Sequence, residues 1–263
     1  MNRRGLLIVN SVLVFAGIVA LWQGIVWAFH LPVYMLPGPR PVVLALFGRL
    51  PSLVNSLWIT TEEAAGGLIA SVVVGVTVAM VFAQWRWLRQ LLYPYTILLQ
   101  TVPIVAIAPL IILWTGPGIL SVTVVTFIIC LAPIIANATQ GLISVQENLI
   151  HLFVMHNASP AQVLFKLRLP YALPNLFTGI RISAGISVIG AITGELFAGS
   201  PRVGQGGLGY AILYANSQLE TSYLFALVIA ATLLGFAFFF LVMFLEWIAL
   251  HNWHESSRAH SND

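Results

Sequence analysis

Six long apolar runs divide this sequence, and each is long enough to cross a lipid bilayer as a helix. A membrane-spanning helix needs about 20 mostly apolar residues, because the hydrocarbon core is about 30 Å thick. Only 7% of the residues are charged, against about 25% in a soluble domain. We therefore expect an all-α integral membrane protein of six transmembrane helices, forming one transmembrane domain over residues 1–263. The spans are predicted at about 6–29, 57–83, 91–114, 119–139, 178–197 and 223–250.

Basic residues near the ends of these runs predict the orientation in the membrane, because cytoplasmic loops carry an excess of Lys and Arg. With both termini in the cytoplasm, eight basic residues lie inside and three outside. The inside residues are Arg3, Arg4, Arg86, Arg89, Lys166, Arg168, Arg181 and Arg258, and the outside residues are Arg40, Arg49 and Arg202. The first run is about 24 residues long and has no small-x-small cleavage site, so we expect a retained span and not a signal peptide.

The third run contains three prolines, Pro94, Pro103 and Pro109. Each proline removes a helical hydrogen bond, so this span is expected to be kinked or partly unwound. Gln100 and Thr101 lie beside the central proline, and polar groups at a broken helix commonly line a transport path. Alternatively, Gln100 hydrogen-bonds a backbone carbonyl that the break leaves free.

Two more polar residues inside apolar runs complete the candidate translocation path. Asn137 lies in the fourth run and Glu195 in the fifth. An ionisable group at membrane depth is expected to face a polar path or a partner. For Glu195 the alternative is a structural hydrogen bond to a neighbouring helix. Glu62 and Glu63, near the beginning of the second run, are expected at the outer interface.

Residues 144–174 form the longest internal segment that is amphipathic instead of uniformly apolar. Two pairs in it have the S-x-x-E/Q spacing of a capping box, which starts a helix. They are Ser144 with Glu147 and Ser159 with Gln162. Asn157 suits the left-handed position that ends a helix, and Leu169-Pro170 is expected to stop the second helix. The sequence therefore predicts two short helices joined by a tight corner.

The segment also carries a longer spacing pattern. His151-Leu152-Phe153, Asn157 and Leu167-x-Leu169-Pro170 stand at the positions of EAA-x3-G-x9-I-x-L-P, although the Glu, both Ala and the Gly are replaced. This pattern resembles the cytoplasmic loop of permease subunits of binding-protein-dependent ABC importers. The flanks Asn157-Ala158-Ser159-Pro160 and Thr178-Gly179-Ile180-Arg181 resemble the branch that imports nitrate, sulfonates, taurine and pyrimidine-type vitamin precursors.

The resemblance implies the six-helix permease fold of a type I ABC importer, in the inner membrane of a prokaryote. In that family the loop docks on a separate ATP-binding subunit, which holds ATP and Mg. An external solute-binding protein delivers the substrate, and a second permease copy, giving a homodimer, completes the pathway. The residues that the resemblance implies in ATPase contact are His151, Leu152, Phe153, Met155, Asn157, Ala158, Ser159, Pro160 and Gln162.

The chain itself is expected to be a transport subunit and not an enzyme. It has no G-x4-G-K-[ST] phosphate loop, so ATP hydrolysis is expected in the partner, with no cofactor and no catalytic residue here. The net charge of +3 does not indicate nucleic acid. We interpret the tail with His251, His254 and His260 as a solvated end and not a metal site. The alternative class is an ATP-independent secondary transporter or channel subunit, although such carriers usually show several intramembrane acids or bases.

The sequence gives only a weak indication of the substrate. No Lys or Arg lies deep in a predicted span, so no fixed cationic site for an anion is evident. A lone buried carboxylate at Glu195 disfavours small anions. This favours a neutral or cationic heterocycle such as a pyrimidine or thiamine precursor, while sulfonate, taurine and nitrate stay open as alternatives.

Overall fold

The structure, a computed structural model, describes residues 3–198 and 206–251, with side chains from residue 9 onward. Within these ranges all regular structure is helical, which confirms the expected all-α fold. The helices are α1 (Arg3–Ala28), α2 (Pro39–Gly48), α3 (Leu50–Gln84), α4 (Arg86–Thr101), α5 (Ile104–Thr115), α6 (Ile119–Ile143), α7 (Glu147–Met155), α8 (Pro160–Val163), α9 (Leu169–Ala198), α10 (Leu208–Ser217) and α11 (Thr221–Leu250). A π-helical turn, Leu164–Arg168, joins α8 to α9.

Five helices, α1, α3, α6, α9 and α11, are long and apolar enough to cross a membrane on their own. Helices α4 and α5 pass the same test together but are bent by 99° relative to each other. Counted as one broken span, this pair brings the number of candidate spans to six. The break falls where the prolines predict it, because Val102 is extended before Pro103 and Pro103 precedes the first residue of α5.

The core lies where α3, α6 and α9 pack together, and small residues make that packing close. A Cβ added at Gly67 of α3 would lie 2.5 Å from the Cβ of Thr126 in α6, so no larger residue fits this contact. Hydroxyl groups also bond across the helices. Ser71 donates to the Phe127 carbonyl at 2.8 Å, and Ser183 of α9 donates to the Cys130 carbonyl at 3.0 Å. Close backbones with interhelical hydrogen bonds are the usual means of helix association in lipid.

Helix α1 lies largely apart from this core. No described residue of its span is buried. Among its contacts with the rest, the Trp22 ring stacks on Phe225 of α11 with 6.1 Å between centroids, and Gln23 lies beside Gly38. The buried apolar clusters of the described chain come from α2 and the helices after it, with Val42 of α2 among them.

An ion pair ties the junction of α2 and α3 to the start of α11. Arg49, the single residue between α2 and α3, donates to both carboxylate oxygens of Glu220. Its guanidinium also lies 4.9 Å from the centre of the Tyr223 ring. The hydrogen bond from Arg49 lowers the pKa of Glu220, and the same bond raises the pKa of Arg49.

The connection between α9 and α11 differs from the sequence-based expectation. No helix is predicted between the spans at 178–197 and 223–250, but the described part of this connection contains α10. Residues 199–205 lie outside the described residues. Glu63 also differs, because its side chain is only 3% exposed and packs inside the bundle, whereas Glu62 is exposed as expected.

Candidate functional site

The predicted corner in the amphipathic segment is present between α7 and α8. Asn157 adopts the left-handed conformation with φ of 55°, which confirms its predicted role at the end of the first short helix. Ser159 and Gln162 form the predicted capping box. The Gln162 amide donates to Ser159 Oγ at 3.3 Å, and the Ser159 amide donates to Gln162 Oε1 at 2.7 Å. The two reciprocal bonds fix where α8 begins.

The other predicted capping box is wrong. Gln146, not Ser144, precedes the first residue of α7, and no side chain caps that helix. Ser144 instead ends α6, where its hydroxyl donates to the Gly141 carbonyl at 2.9 Å. A serine hydroxyl can bond either forward to an amide or backward to a carbonyl, so the spacing alone does not fix its role.

The expected stop at Leu169-Pro170 is also wrong. The chain continues without a break from α8 through the π-helical turn into α9. Pro170 lacks the N–H that a regular α-helix would use at this point, and it directly follows the π-helical turn. The wider π-helical turn before it accommodates the change of hydrogen bonding. The corner is therefore the beginning of one continuous helical segment that becomes a membrane span, Pro160–Ala198.

Polar contacts hold this segment against the end of α3. Arg168 donates from Nη1 to the Ala83 carbonyl at 2.6 Å, and Gln84 Nε2 lies 3.4 Å from the Pro160 carbonyl as a long hydrogen bond. A cation at the C-terminus of a helix meets unpaired carbonyls and the negative end of the helix dipole. Two spans, α3 and α9, thus hold the corner in place.

The corner exposes an apolar surface. No residue of Glu147–Met155 is buried. Leu152 is 49% and Met155 80% exposed, whereas Phe153 and Ala158 are half-buried. The remaining residues of the predicted contact set, His151, Asn157, Ser159, Pro160 and Gln162, are exposed. A short amphipathic helix with an exposed apolar face is suited to insert into a groove on another protein.

A second candidate feature is a cavity of about 470 Å³ at the break between α4 and α5. It brings together two of the four predicted path residues, Gln100 and Asn137, among mostly apolar neighbours. Asn137 donates from Nδ2 to the Pro133 carbonyl at 2.8 Å, so this donor is already used. Thr101 does not line the cavity, and its hydroxyl donates to the Leu98 carbonyl at 2.8 Å.

Glu195 lies apart from this cavity, where it caps α10. Its side chain is 3% exposed. One carboxylate oxygen accepts from the Thr60 hydroxyl at 2.6 Å and the other from the Gly209 amide at 2.5 Å. Thr60 in turn accepts from the Leu208 amide at 2.8 Å. Free amides at a helix N-terminus attract a carboxylate, so these contacts support the structural alternative for Glu195.

The glycines before α10 make this contact possible. A Cβ at Gly207 would overlap the Glu195 carboxylate, and a Cβ at Gly209 would lie 2.9 Å from Glu195 Cβ. Sequence reasoning missed both α10 and the part of Thr60 in its cap. The available signal was the glycine-rich stretch around Gly206-Gly207 together with one acid in an apolar run. Thr60 and the Leu208 amide that it accepts from are 148 residues apart in the sequence, so no local pattern joins them.

No metal site accompanies these features. Among residues 3–198 and 206–251, no group of three or more His, Cys, Asp or Glu side chains is placed to hold an ion. His254 and His260 of the tail lie outside the described residues.

Comparison with known proteins gives a consistent picture. Residues 71–247 match the family described as binding-protein-dependent transport system inner membrane component. The riboflavin transport system permease protein RibX of Chloroflexus aurantiacus is 32% identical over 91% of this chain and 88% of its own length. The formylaminopyrimidine transport permease protein ThiX of Halalkalibacterium halodurans is 32% identical over 82% of this chain and 85% of its own length. A probable ABC transporter permease protein of Haemophilus influenzae is 29% identical over 92% and 95%.

The cap on α10 leads to a first prediction. Glu195→Gln can still accept from the Gly209 amide while its own amide donates to Thr60, so the variant is expected to fold and to transport. Glu195→Ala leaves buried donors unpaired at about 1–3 kcal/mol each and is expected to lower the thermal stability in detergent. The measurements are thermal unfolding and solute uptake. A well-folded Glu195→Gln variant without uptake would show that the carboxyl group serves transport beyond its part in the cap.

Proposed function

Because this chain belongs to the family of binding-protein-dependent transport system inner membrane components, we propose how it works within such a system. It is the transmembrane permease subunit of an ABC importer for a small solute. The proposal is that an ATPase docks on the corner between α7 and α8, that two copies of the chain enclose the pathway, and that the solute is a neutral heterocycle. ATP and Mg bind to the ATPase and not to this chain.

The observation that carries the ATPase proposal is the exposed corner on a continuous helix. Leu152 and Met155 offer an apolar surface with no cover from the described part of the chain. The capped start of α8 and the Arg168 bond to α3 keep that surface rigid relative to the spans. When the two ATPase subunits bind ATP and close against each other, the corner moves with them as a rigid body. Helix α9, which continues from the corner, transmits this movement into the membrane.

Docking of an ATPase requires the corner to lie in the cytoplasm. The eight-to-three distribution of basic residues supports this orientation, with both termini inside. Lys166, beside the corner, and Arg40, at the start of α2, are both exposed and would lie on opposite sides.

The cavity at the α4–α5 break supports the choice of solute. Its volume of about 470 Å³ suits a small molecule. Its polar side chains are two carboxamides, and its lining contains no charged residue, so it offers hydrogen bonds to a neutral ring system but no countercharge to an anion. Gln100 is exposed in the single chain, and a second copy facing it would close the path. RibX and ThiX are named for riboflavin and formylaminopyrimidine, both heterocycles.

The orientation can be measured by cysteine labelling. Lys166→Cys in a Cys130→Ala background is expected to react with an impermeant maleimide only in inside-out vesicles. Arg40→Cys is the matched control and is expected to react in intact cells. Reaction of position 166 from outside would contradict both the orientation and the docking of an ATPase at the corner.

The docking surface can be tested with Ala158→Asp. A charge placed in an apolar contact costs several kcal/mol when buried, and 1.4 kcal/mol is a factor of ten in affinity. We therefore expect the variant to insert normally but to bind the ATPase at least about tenfold more weakly. Ala158→Ser is the control of similar size without charge. The measurements are co-purification of the ATPase and solute-stimulated hydrolysis, and an unchanged stimulated rate would place the contact elsewhere.

The path is tested by Gln100→Leu, with the neighbouring Thr101→Val as a control outside the cavity. Loss of one hydrogen bond to the solute is worth about 1 kcal/mol, so uptake is expected to fall roughly fivefold while basal ATP hydrolysis stays the same. Uptake of labelled formylaminopyrimidine or riboflavin is measured, with taurine as a competitor. If taurine reduced the uptake and neither heterocycle was itself transported, the proposal of a neutral heterocycle would be contradicted. Full uptake by Gln100→Leu would contradict this path.

A further inference from the structure

A second cavity of about 470 Å³ is an apolar groove between α9, α10 and α11. Thr232 is the one polar side chain in its lining, and its hydroxyl donates to the Val228 carbonyl at 2.9 Å. The groove therefore offers no free side-chain hydrogen-bond donor to a polar solute. Its apolar lining includes Ile189, Ile192, Ile212, Phe236 and Phe239.

The length of the groove corresponds to one leaflet of a bilayer. It follows α11 from Val228 to Phe239, which is roughly 16 Å at 1.5 Å per residue. Half of a hydrocarbon core of about 30 Å has nearly the same depth. A stretch of acyl chain of about this length can therefore lie along α11 in the groove.

A charged pair stands at the Phe239 end of the groove. The Arg181 guanidinium lies 5.9 Å from the centre of the Phe239 ring. Arg181 Nη1 lies 3.2 Å from Glu246 Oε2, and the two side chains are 30% and 19% exposed. The adjacent Trp247 is 58% exposed. Glu246 and Trp247 lie roughly 10–12 Å beyond Phe239 along α11, and exposed tryptophans are typical of the membrane–water interface, so the groove leads from the charged pair toward the middle of the membrane.

Both members of the pair can make more bonds than they do. A guanidinium has five N–H donors, and one nitrogen faces Glu246. Glu246 Oε2 is buried and, within the part of the chain that the structure describes, accepts no hydrogen bond of good geometry. Because Glu246 Oε2 itself is buried, a cationic group can approach Glu246 only through the 19% of its side chain that is exposed, beside the unused donors of Arg181.

We propose that this groove is a binding site for a phospholipid with a primary-amine headgroup. One acyl chain fills the groove, the phosphate accepts from Arg181, and the ammonium group donates to Glu246. A purely anionic lipid meets the repulsion of Glu246, whereas a zwitterionic amine lipid satisfies both charges. Arg181 precedes the groove residues of α9, so the headgroup lies in the leaflet on the side of the corner.

The groove can be filled without disturbing the protein. A Cβ added at Gly235, which lines the groove, meets no atom within 4 Å. Gly235→Leu is therefore expected to fold normally while occupying the space of the acyl chain. Gly24→Leu in α1 is the matched control, since its Cβ also meets no atom within 4 Å and Gly24 is not in the groove.

Native mass spectrometry of the full chain in detergent provides the test, with added phosphatidylethanolamine, phosphatidylcholine or phosphatidylglycerol. The unmodified chain is expected to bind one phosphatidylethanolamine at least about tenfold more tightly than the other two lipids. Gly235→Leu is expected to lose this binding, whereas Gly24→Leu keeps it. Glu246→Gln is expected to keep lipid binding but to lose the preference for the primary amine over its trimethylated analogue.

Three results would overturn the proposal. Equal binding of all three lipids by the unmodified chain would indicate ordinary boundary lipid. Unchanged binding by a folded Gly235→Leu variant would place the lipid elsewhere. Conversion of the two-copy complex into single copies by Gly235→Leu would show that the groove receives a second copy of the chain. None of these results depends on which solute is transported.

Discussion

A bilayer offers no water to backbone groups, and this constraint governs every irregular point of the fold. Each place where a helix begins, ends or breaks at membrane depth must find its hydrogen bonds within the protein. Glu195 and Thr60 supply them at the start of α10, and Arg168 supplies one at the end of α3. At the break before α5, the Thr101 hydroxyl bonds the Leu98 carbonyl, and the cavity with Gln100 and Asn137 lies beside it.

The same constraint separates structural from solute-facing polar residues. Both carboxylate oxygens of Glu195 accept a hydrogen bond from the chain, and this almost fully buried side chain does not line the cavity. Gln100, by contrast, is exposed and lines the cavity. In the proposed path Gln100 faces the solute, whereas Glu195 stabilises the fold.

Much of the architecture could be predicted from the sequence because membrane spans and caps are local patterns. The apolar runs, the broken third span, the left-handed Asn157 and the Ser159–Gln162 cap depend on residues within a few positions of each other. Helix α10 could not be predicted in this way, because Thr60 and Glu195 cap it from distant parts of the chain. The capping role predicted for Ser144 is wrong because its hydroxyl donates to the carbonyl of Gly141, three residues earlier. The helix end predicted at Pro170 is wrong because local spacing does not reveal the π-helical turn before it. Burial of Glu63 depends likewise on packing and not on its neighbours in sequence.

The π-helical turn at Leu164–Arg168 also sets the angle between the corner and the span. One residue in an α-helix corresponds to a rotation of about 100° and a rise of only about 1.5 Å. Removing the extra residue of this turn would leave the corner at nearly the same depth but turn its apolar face by more than a quarter of a circle. The chain can therefore tolerate changes of side chain in this turn more readily than changes of length. The length of this turn therefore sets the angle between the proposed docking surface and the span that follows it, so one inserted or deleted residue would alter that angle.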